Sequence, residues 1–185
     1  MCKENIIFLD IDGVLNSMNI HKFLLWKIFS SIGLSQWIEH KLNVDLVDKK
    51  AVKRLNRIIQ ATDAKIVLTA SCRGVYVNTE ERMKHRLTRR LHELFVKYGI
   101  EVKDVTPASI NNVRGNEILS WLSKHEDEIN QFIILDDEKS DMTVFEDDFR
   151  LIQTRSKSIS GIDNTGIKNI HVRRAIKILN TTVMK

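Results

Sequence analysis

Three short runs of consecutive apolar residues constrain the fold of this chain more than any other feature of its sequence. They occupy residues 6–9, 66–68 and 132–135, and each is followed at once by a polar residue. A strand with one face in water alternates apolar and polar side chains, whereas a strand covered on both faces is apolar throughout. These runs therefore predict buried strands of a parallel sheet with helices on both faces.

Segments with helical periodicity separate and follow these runs. Apolar residues recur at helical spacing over residues 48–61, 79–98, 116–125 and 165–180. Asp48 is a good N-cap for the first of these helices, and Gly99 is a good stop for the second. Short strands are expected at residues 100–102 and 150–153. The alternation predicts one doubly wound, Rossmann-like α/β domain over residues 1–185, with three layers around a parallel sheet.

Composition limits the class of protein further. The 185 residues are 43% apolar and 29% charged, with seven glycines and one proline, which disfavours disorder and a many-turned all-β fold. Cys2 and Cys72 have no disulfide or zinc spacing, so we expect a reducing, cytoplasmic-type compartment. No apolar run reaches the ~18 residues of a membrane span, and we expect no transmembrane segment and no secretory signal. The net charge of +5 favours anionic partners without choosing among phosphorylated substrates, nucleic acid and acidic membranes.

Residues 16–44 interrupt the alternation of strands and helices. They read as a helix that is apolar nearly all round, which predicts a small helical cap or flap inserted after the first strand. Its second apolar face packs on the core, borders the substrate, or contacts a partner or a membrane surface; these alternatives stay open. A second open question is the basic face of residues 82–92, which is either a solvated surface or a guide for RNA or an acidic membrane.

Polar residues with chemical potential follow each predicted strand. Asp10 and Asp12 follow the first run, Thr69 and Ser71 the second, and residues 136–141 (DDEKSD) the third. In open α/β sheets, ligands bind beyond the carboxyl ends of the strands. Carboxylates gathered there repel one another unless a hard divalent cation compensates them, and Mg²⁺ is the expected ion. The cluster therefore predicts a magnesium site, and the metal in turn indicates a phosphate-bearing substrate.

Three segments resemble signatures of the haloacid dehalogenase (HAD) superfamily. IIFLDIDGVLN resembles the first signature, KIVLTASCR the second, and ILDDEKSD the fourth, with Asp137 and Asp141 as its spaced aspartate pair. Arg114, at the start of the predicted third helix, is the candidate for the third signature, where the superfamily more often has lysine. The resemblance extends from Asn5 to about Leu179. It implies a phosphatase that forms an aspartyl-phosphate intermediate.

The resemblance also implies a role for each matching residue. Asp10 is the nucleophile, and Asp12 donates a proton to the leaving group and later accepts one from water. From ordinary values we expect Asp10 to be ionised, with a pKa of about 3.9, and Asp12 to have a raised pKa. The residues implied around the phosphate are Gly13, Thr69 or its rival Ser71, the adjacent Ala70, and Arg114.

The implied metal ligands are a carboxylate oxygen of Asp10, the backbone carbonyl of Asp12, and Asp137. Asp136 reaches the ion directly or through water, and Asp141 orients the cationic residue of the third signature. Arg73 and Trp26 are possible substrate contacts. A thiol-phosphatase mechanism at Cys72 is disfavoured, because such enzymes need a cysteine and an arginine spaced around a phosphate loop.

Two narrower resemblances lead to different substrates. LTASCR, RGNEILSWL and ILDDEKSDM resemble a bacterial and phage HAD subgroup found near RNA-repair functions. Small HAD domains of the same style include effector protein-tyrosine phosphatases, which would imply secretion by a bacterium into a host cell. A macromolecular substrate is expected in either case, because the insertion is too small to enclose a metabolite.

Protein phosphotyrosine is the favoured substrate, since the aromatic residues of the insertion could sandwich a phenyl ring. These residues are Phe23, Trp26, Phe29 and Trp37. A terminal phosphate on nucleic acid is the alternative, although no aromatic platform interleaves with the basic helix. A non-catalytic binding module with the same fold is a second alternative, disfavoured because both first-signature aspartates are present.

Overall fold

A computed structural model of the chain describes residues 3–16, 28–34, 47–108, 113–155 and 165–181. Outside residues 28–34, of which 28–31 are helical, the described residues form six helices and five strands, together with two short 3₁₀ turns at Glu126–Glu128 and Thr143–Phe145. The strands are β1 (Glu4–Leu9), β2 (Lys65–Leu68), β3 (Val102–Val105), β4 (Ile129–Asp136) and β5 (Leu151–Gln153). The helices are α1 (Lys49–Thr62), α2 (Arg73–Val77), α3 (Thr79–Lys84), α4 (Arg86–Tyr98), α5 (Arg114–Lys124) and α6 (Asn169–Leu179).

The five strands form one parallel sheet in the order β3-β2-β1-β4-β5. Successive side chains of β1 enter two separate apolar cores, with Ile7 and Leu9 in one and Ile6 and Phe8 in the other. Helices α1, α4 and α6 cover the first core, and α5 with the second 3₁₀ turn covers the second. The predicted doubly wound, three-layer α/β fold is confirmed.

The helices agree with the sequence patterns except where tertiary contacts intervene. Asp48 caps α1 as expected, accepting from the Lys50 N–H at 2.8 Å. The single helix predicted over residues 79–98 is wrong, because extended backbone at His85 (φ −83°, ψ 127°) divides it into α3 and α4. The buried Thr88 hydroxyl supports the break by donating to the Arg82 carbonyl oxygen at 2.8 Å.

Other elements also differ from the predictions. Helix α2 was not predicted, β3 lies at Val102–Val105 rather than at residues 100–102, and α6 begins at Asn169 rather than at residue 165. Ile100 is buried and its N–H bonds to the Phe95 carbonyl oxygen, so it completes the end of α4 instead of opening β3. Its apolar side chain alone does not show whether Ile100 lies at the end of a helix or at the start of a strand.

The proposed insertion lies mostly outside the described residues. Of residues 16–44, only Asn16 and residues 28–34 are described; there, Ile28, Ile32 and Leu34 are 58%, 63% and 44% exposed. Trp26 lies outside the described residues, so its role, the cap or flap, and the single-domain extent over residues 1–185 stay predictions. In the described part of the chain, no helix is both long enough and apolar enough to cross a membrane.

Candidate active site

The candidate active site lies where the direction of winding of the sheet reverses. β1 pairs with β2 on one side and with β4 on the other, and the crevice beyond their carboxyl ends is the usual ligand site of such sheets. Two backbone bonds continue the pairing past the strands: the Asp10 N–H to the Leu135 carbonyl oxygen, and the Thr69 N–H to the Leu9 carbonyl oxygen, both at 3.0 Å. The side chains at the carboxyl ends of β1, β2 and β4 therefore lie close together, at the same height along the strands.

Three carboxylates meet at this point, and we refer to Asp10, Asp136 and Asp137 as the acidic cluster. Each offers one carboxylate oxygen, and these oxygens lie within 4.8 Å of one another. Asp10 is 2% exposed and Asp136 is fully buried, while Asp137 is half-buried. Because charged groups in a low-dielectric site are poorly solvated, this geometry requires compensating positive charge.

Burial changes the acidity of the cluster. It raises the pKa of Asp10 to about 7; the Asp136 charge adds to this rise and Arg114 opposes it. Burial likewise raises the pKa of Asp136 and that of Asp137, and for Asp137 the neighbouring Asp136 charge adds to the effect. The ordinary pKa expected for Asp10 was wrong, because the sequence does not show how completely its carboxyl group is buried.

Arg114 supplies positive charge from the first residue of α5. Its Nη1 lies 2.7 Å from Asp136 Oδ2 and 3.2 Å from Asp10 Oδ1, and its Nε lies 3.9 Å from Asp141 Oδ2. The residue matched to the third HAD signature is therefore in direct contact with those matched to the first and fourth. One guanidinium compensates only one of three carboxylate charges, so a divalent cation could compensate the remaining two.

Gly13 allows the Asp137 carboxyl group to approach the loop after β1. Its φ is +68°, a conformation that favours glycine, and a Cβ atom built on it would lie 2.3 Å from Asp137 Cγ. Asp12 is exposed, and its Oδ1 accepts from Asn16 Nδ2 at 2.7 Å, while the Gly13 N–H donates to Asn16 Oδ1 at 2.8 Å. The Asp12 carboxylate is thus outside the acidic cluster.

The loop after β2 presents a hydroxyl group whose bonding is incomplete. Thr69 is fully buried, and its Oγ1 has no hydrogen-bond partner among the described residues. A buried hydroxyl group without a hydrogen bond lowers the stability of the fold, which is consistent with a group that bonds to a ligand. Ala70 is buried and Ser71 is exposed. Burial raises the pKa of the Cys72 thiol to about 11, so this side chain is protonated near neutral pH and is a poor nucleophile.

Arg73 is bound to the protein on several sides. Its Nη2 donates to Glu117 Oε2 at 2.9 Å, and the same guanidinium donates to three main-chain carbonyl oxygens at 3.0–3.2 Å, those of Thr69, Ala70 and Thr106. Glu117 was not singled out from the sequence. The only local signal is its spacing of three residues from Arg114, which would place both on one face of a helix.

A cleft of about 700 Å³ opens next to Arg114. Its walls come from the loops after β2 and β3 and from the start of α5, and they include Ser71, Gly74, Pro107 and Arg114. Arg114 connects this cleft to the acidic cluster, because its Nη1 lies 3.2 Å from Asp10 Oδ1.

The fold and the site together define a doubly wound α/β domain of the HAD type, with the acidic groups of its signatures at the switch point. Residues 6–163 match the family model described as the HAD domain in Swiss Army Knife RNA repair proteins, and the chain belongs to this family. This membership confirms the resemblance to RNA-repair HAD domains and supports a phosphatase-type hydrolase. Comparison with curated proteins and with solved structures found no match.

Proposed function

We propose that this protein removes a terminal phosphate from RNA in a Mg²⁺-dependent reaction with a phosphoaspartate intermediate at Asp10. The observation that carries the proposal is the acidic cluster, whose carboxylate oxygens lie within 4.8 Å of one another beside Arg114. A nucleophilic carboxylate together with compensating cations is what attack on a phosphomonoester dianion requires.

The residues present fit a magnesium ion. Carboxylate oxygens are hard ligands of the kind that Mg²⁺ prefers, and Gly13 leaves the space that lets Asp137 reach the loop of Asp10. Asp10, Asp136 and Asp137 would hold the ion, together with the Asp12 backbone carbonyl that the resemblance implies. A bound Mg²⁺ would supply charge neutralisation for these carboxylates and for the phosphate oxygens.

The side chains of the protein would divide the reaction into two displacements. In the first, an Asp10 carboxylate oxygen bonds to phosphorus, the bond to the leaving oxygen breaks, and Asp12 gives that oxygen a proton. In the second, Asp12 takes a proton from water, the water oxygen bonds to phosphorus, and Asp10 is released with inorganic phosphate. Arg114 and the Thr69 hydroxyl would stabilise the phosphoryl oxygens in both steps.

RNA is favoured as the substrate by the family and by charge. The matching family is described by its occurrence in RNA repair proteins, and the net charge of +5 favours an anionic polymer. His85, Arg86 and Arg89, where α3 meets α4, are exposed to solvent. A phosphorylated macromolecule, rather than a metabolite, is the proposed partner, and the same charge argument extends to peripheral contact with an acidic membrane.

Protein phosphotyrosine is the second candidate substrate. The aromatic residues of the insertion favour it, because a phenyl ring gains from aromatic contacts. It would suit an effector that acts inside a host cell, as the resemblance to effector phosphatases suggests. Both candidate substrates would undergo the same reaction at Asp10. They differ in the leaving group, which belongs to RNA in the first case and to a tyrosine side chain in the second.

The experiment measures inorganic phosphate released from RNA oligonucleotides with a 3′- or 5′-phosphate, a phosphotyrosyl peptide and a sugar phosphate, with Mg²⁺ or with EDTA. We expect kcat/KM to be at least tenfold higher for one RNA end than for the other substrates, and Asp10→Asn and EDTA to abolish release. Preference for the peptide would establish the second candidate. Failure to release phosphate from any substrate would refute catalysis and favour a binding module.

A further inference from the structure

The first turn of α5 is tied to the loop that follows β4. Arg114 opens this turn and contacts the acidic cluster. One residue later, the Gly115 N–H donates to the Asp141 carbonyl oxygen at 2.9 Å. A Cβ atom at Gly115 would lie 2.7 Å from a Val144 methyl group, so the absence of a side chain lets the helix approach this loop.

A largely buried ion pair connects the same turn to the opposite side of the site. Glu117 is 3% exposed, lies three residues after Arg114, and accepts from Arg73 Nη2 at 2.9 Å. Through its other donors, Arg73 holds carbonyl oxygens that follow β2 and β3, including the carbonyl of Thr69. One guanidinium thus connects two strand ends to the helix that carries Arg114.

From this geometry we infer that Arg73 and Glu117 are positioning residues, whose ion pair fixes Arg114 relative to the Thr69 hydroxyl. The inference rests on the proposed phosphatase function. Arg73 bonds to the main chain of Thr69, and Glu117 lies about one helical turn from Arg114, so the pair acts through both neighbours.

Stability alone is a weak reason for such a pair. A buried ion pair adds little net stability compared with apolar groups of similar volume, because both charges lose their hydration. A reaction centre gains more from it, since a displacement of ~1 Å in a positioning group can cost ~10²-fold in rate. Replacing the whole pair by apolar groups should therefore change turnover more than folding stability.

The test compares Glu117→Gln and Arg73→Lys with a matched control. Both variants should lower kcat at least tenfold while KM changes less than threefold, because Arg114 and Thr69 would act most strongly on charge in the transition state. The control is Asp104→Ala, which removes the 2.6 Å bond from Trp121 Nε1 near the other end of α5. It should lower the melting temperature and leave kcat within threefold of wild type.

A double variant separates positioning from stability. Arg73→Met combined with Glu117→Met replaces the ion pair by apolar groups, and it should regain part of the thermal stability that Glu117→Gln loses. Its kcat should stay low, because Arg114 and Thr69 are no longer held in position. It is overturned if kcat of the double variant is within threefold of wild type, or if Glu117→Gln loses no more activity than Asp104→Ala. A wild-type protein that releases no phosphate overturns the proposed function as well; a fully active Glu117→Gln overturns this inference alone.

Discussion

Replacing Asp10 by asparagine should inactivate the protein and yet stabilise its metal-free fold. Asparagine keeps the shape of aspartate but removes the nucleophile, so turnover should fall by more than ~10³-fold, or ~4 kcal/mol of barrier. The same substitution removes one charge from the acidic cluster. Function and stability should therefore change in opposite directions.

The size of the stabilisation follows from distances in the site. The cluster oxygens lie within 4.8 Å of one another. At an effective dielectric constant of about 20, the repulsion between the Asp10 charge and each of the other two carboxylates, Asp136 and Asp137, is at least about 3.5 kcal/mol. Attraction to Arg114, whose Nη1 lies 3.2 Å from Asp10 Oδ1, opposes this repulsion by about 5 kcal/mol at the same dielectric constant. A net repulsion of about 2 kcal/mol remains, and burial of the charge adds to it.

The pH dependence has a definite sign. The pKa of Asp10 is raised from 3.8 to about 7 in the fold, so ionisation of this group lowers stability as the pH rises through that window. Asp10→Asn should therefore increase the free energy of unfolding by at least about 2 kcal/mol at pH 8 in EDTA, because burial of the charge adds to the repulsion, and by little below pH ~4.

Urea denaturation followed by the fluorescence of the three tryptophans measures the effect. Saturating Mg²⁺ should reverse the order, because a ligand at ~100 times its Kd stabilises the native state by ~2.7 kcal/mol and the variant has lost a ligand. Asp63→Asn is the control, since Asp63 is exposed and its left-handed backbone (φ 49°) suits asparagine. An Asp10→Asn protein that is less stable than wild type in EDTA at pH 8 would refute the electrostatic reasoning.

Three other substitutions test separate parts of the structure. Asp12→Asn should reduce turnover of an alkyl phosphate more than that of an aryl phosphate, because a phenolate leaves without protonation; equal losses would remove the acid role. Gly13→Ala should lower activity at least tenfold and raise the Mg²⁺ concentration needed for half-maximal activity, because its Cβ would lie 2.3 Å from Asp137 Cγ; an unchanged metal requirement would contradict this. Burial lowers the pKa of His171 to about 4 from 6.5, so protonation of this group should cost the fold about 2 kcal/mol between pH 7 and pH 5, against the opposite trend from Asp10; in urea denaturation the wild type should lose that much stability over this range relative to His171→Asn.

The sheet and the acidic cluster were predictable from sequence because both depend on local patterns. A strand buried on two faces is apolar at every position, as Phe8 and Leu9 are, and this pattern identified β1, β2 and β4. Parallel strands present their carboxyl ends at one edge, so residues that directly follow two neighbouring strands must meet. Asp10 and Asp136 satisfy that condition without any knowledge of loop geometry.

Features that depend on particular hydrogen bonds or on burial by other elements were not predictable. The break at His85 is supported by Thr88, whose hydroxyl bonds back across it to the Arg82 carbonyl oxygen. The partner of Arg73 lies 44 residues away on another element, and a sequence gives no sign of which two charges share a buried pocket. The raised pKa of Asp10 likewise depends on burial by surrounding elements rather than on its own neighbours in sequence.

Charge balance in the site predicts that metal and phosphate bind together. Three carboxylates and one guanidinium carry a formal charge of −2 when all are ionised, so a phosphate dianion should be repelled until a divalent cation is present. Calorimetric titration with inorganic phosphate should detect binding in Mg²⁺ and none in EDTA, and phosphate should raise the affinity for Mg²⁺ by the same factor, since such coupling is reciprocal. Arg114→Met should weaken phosphate binding even in saturating Mg²⁺, because it removes the guanidinium next to Asp10. Equal phosphate affinity with and without Mg²⁺ would mean that the anion binds elsewhere, away from the carboxylates.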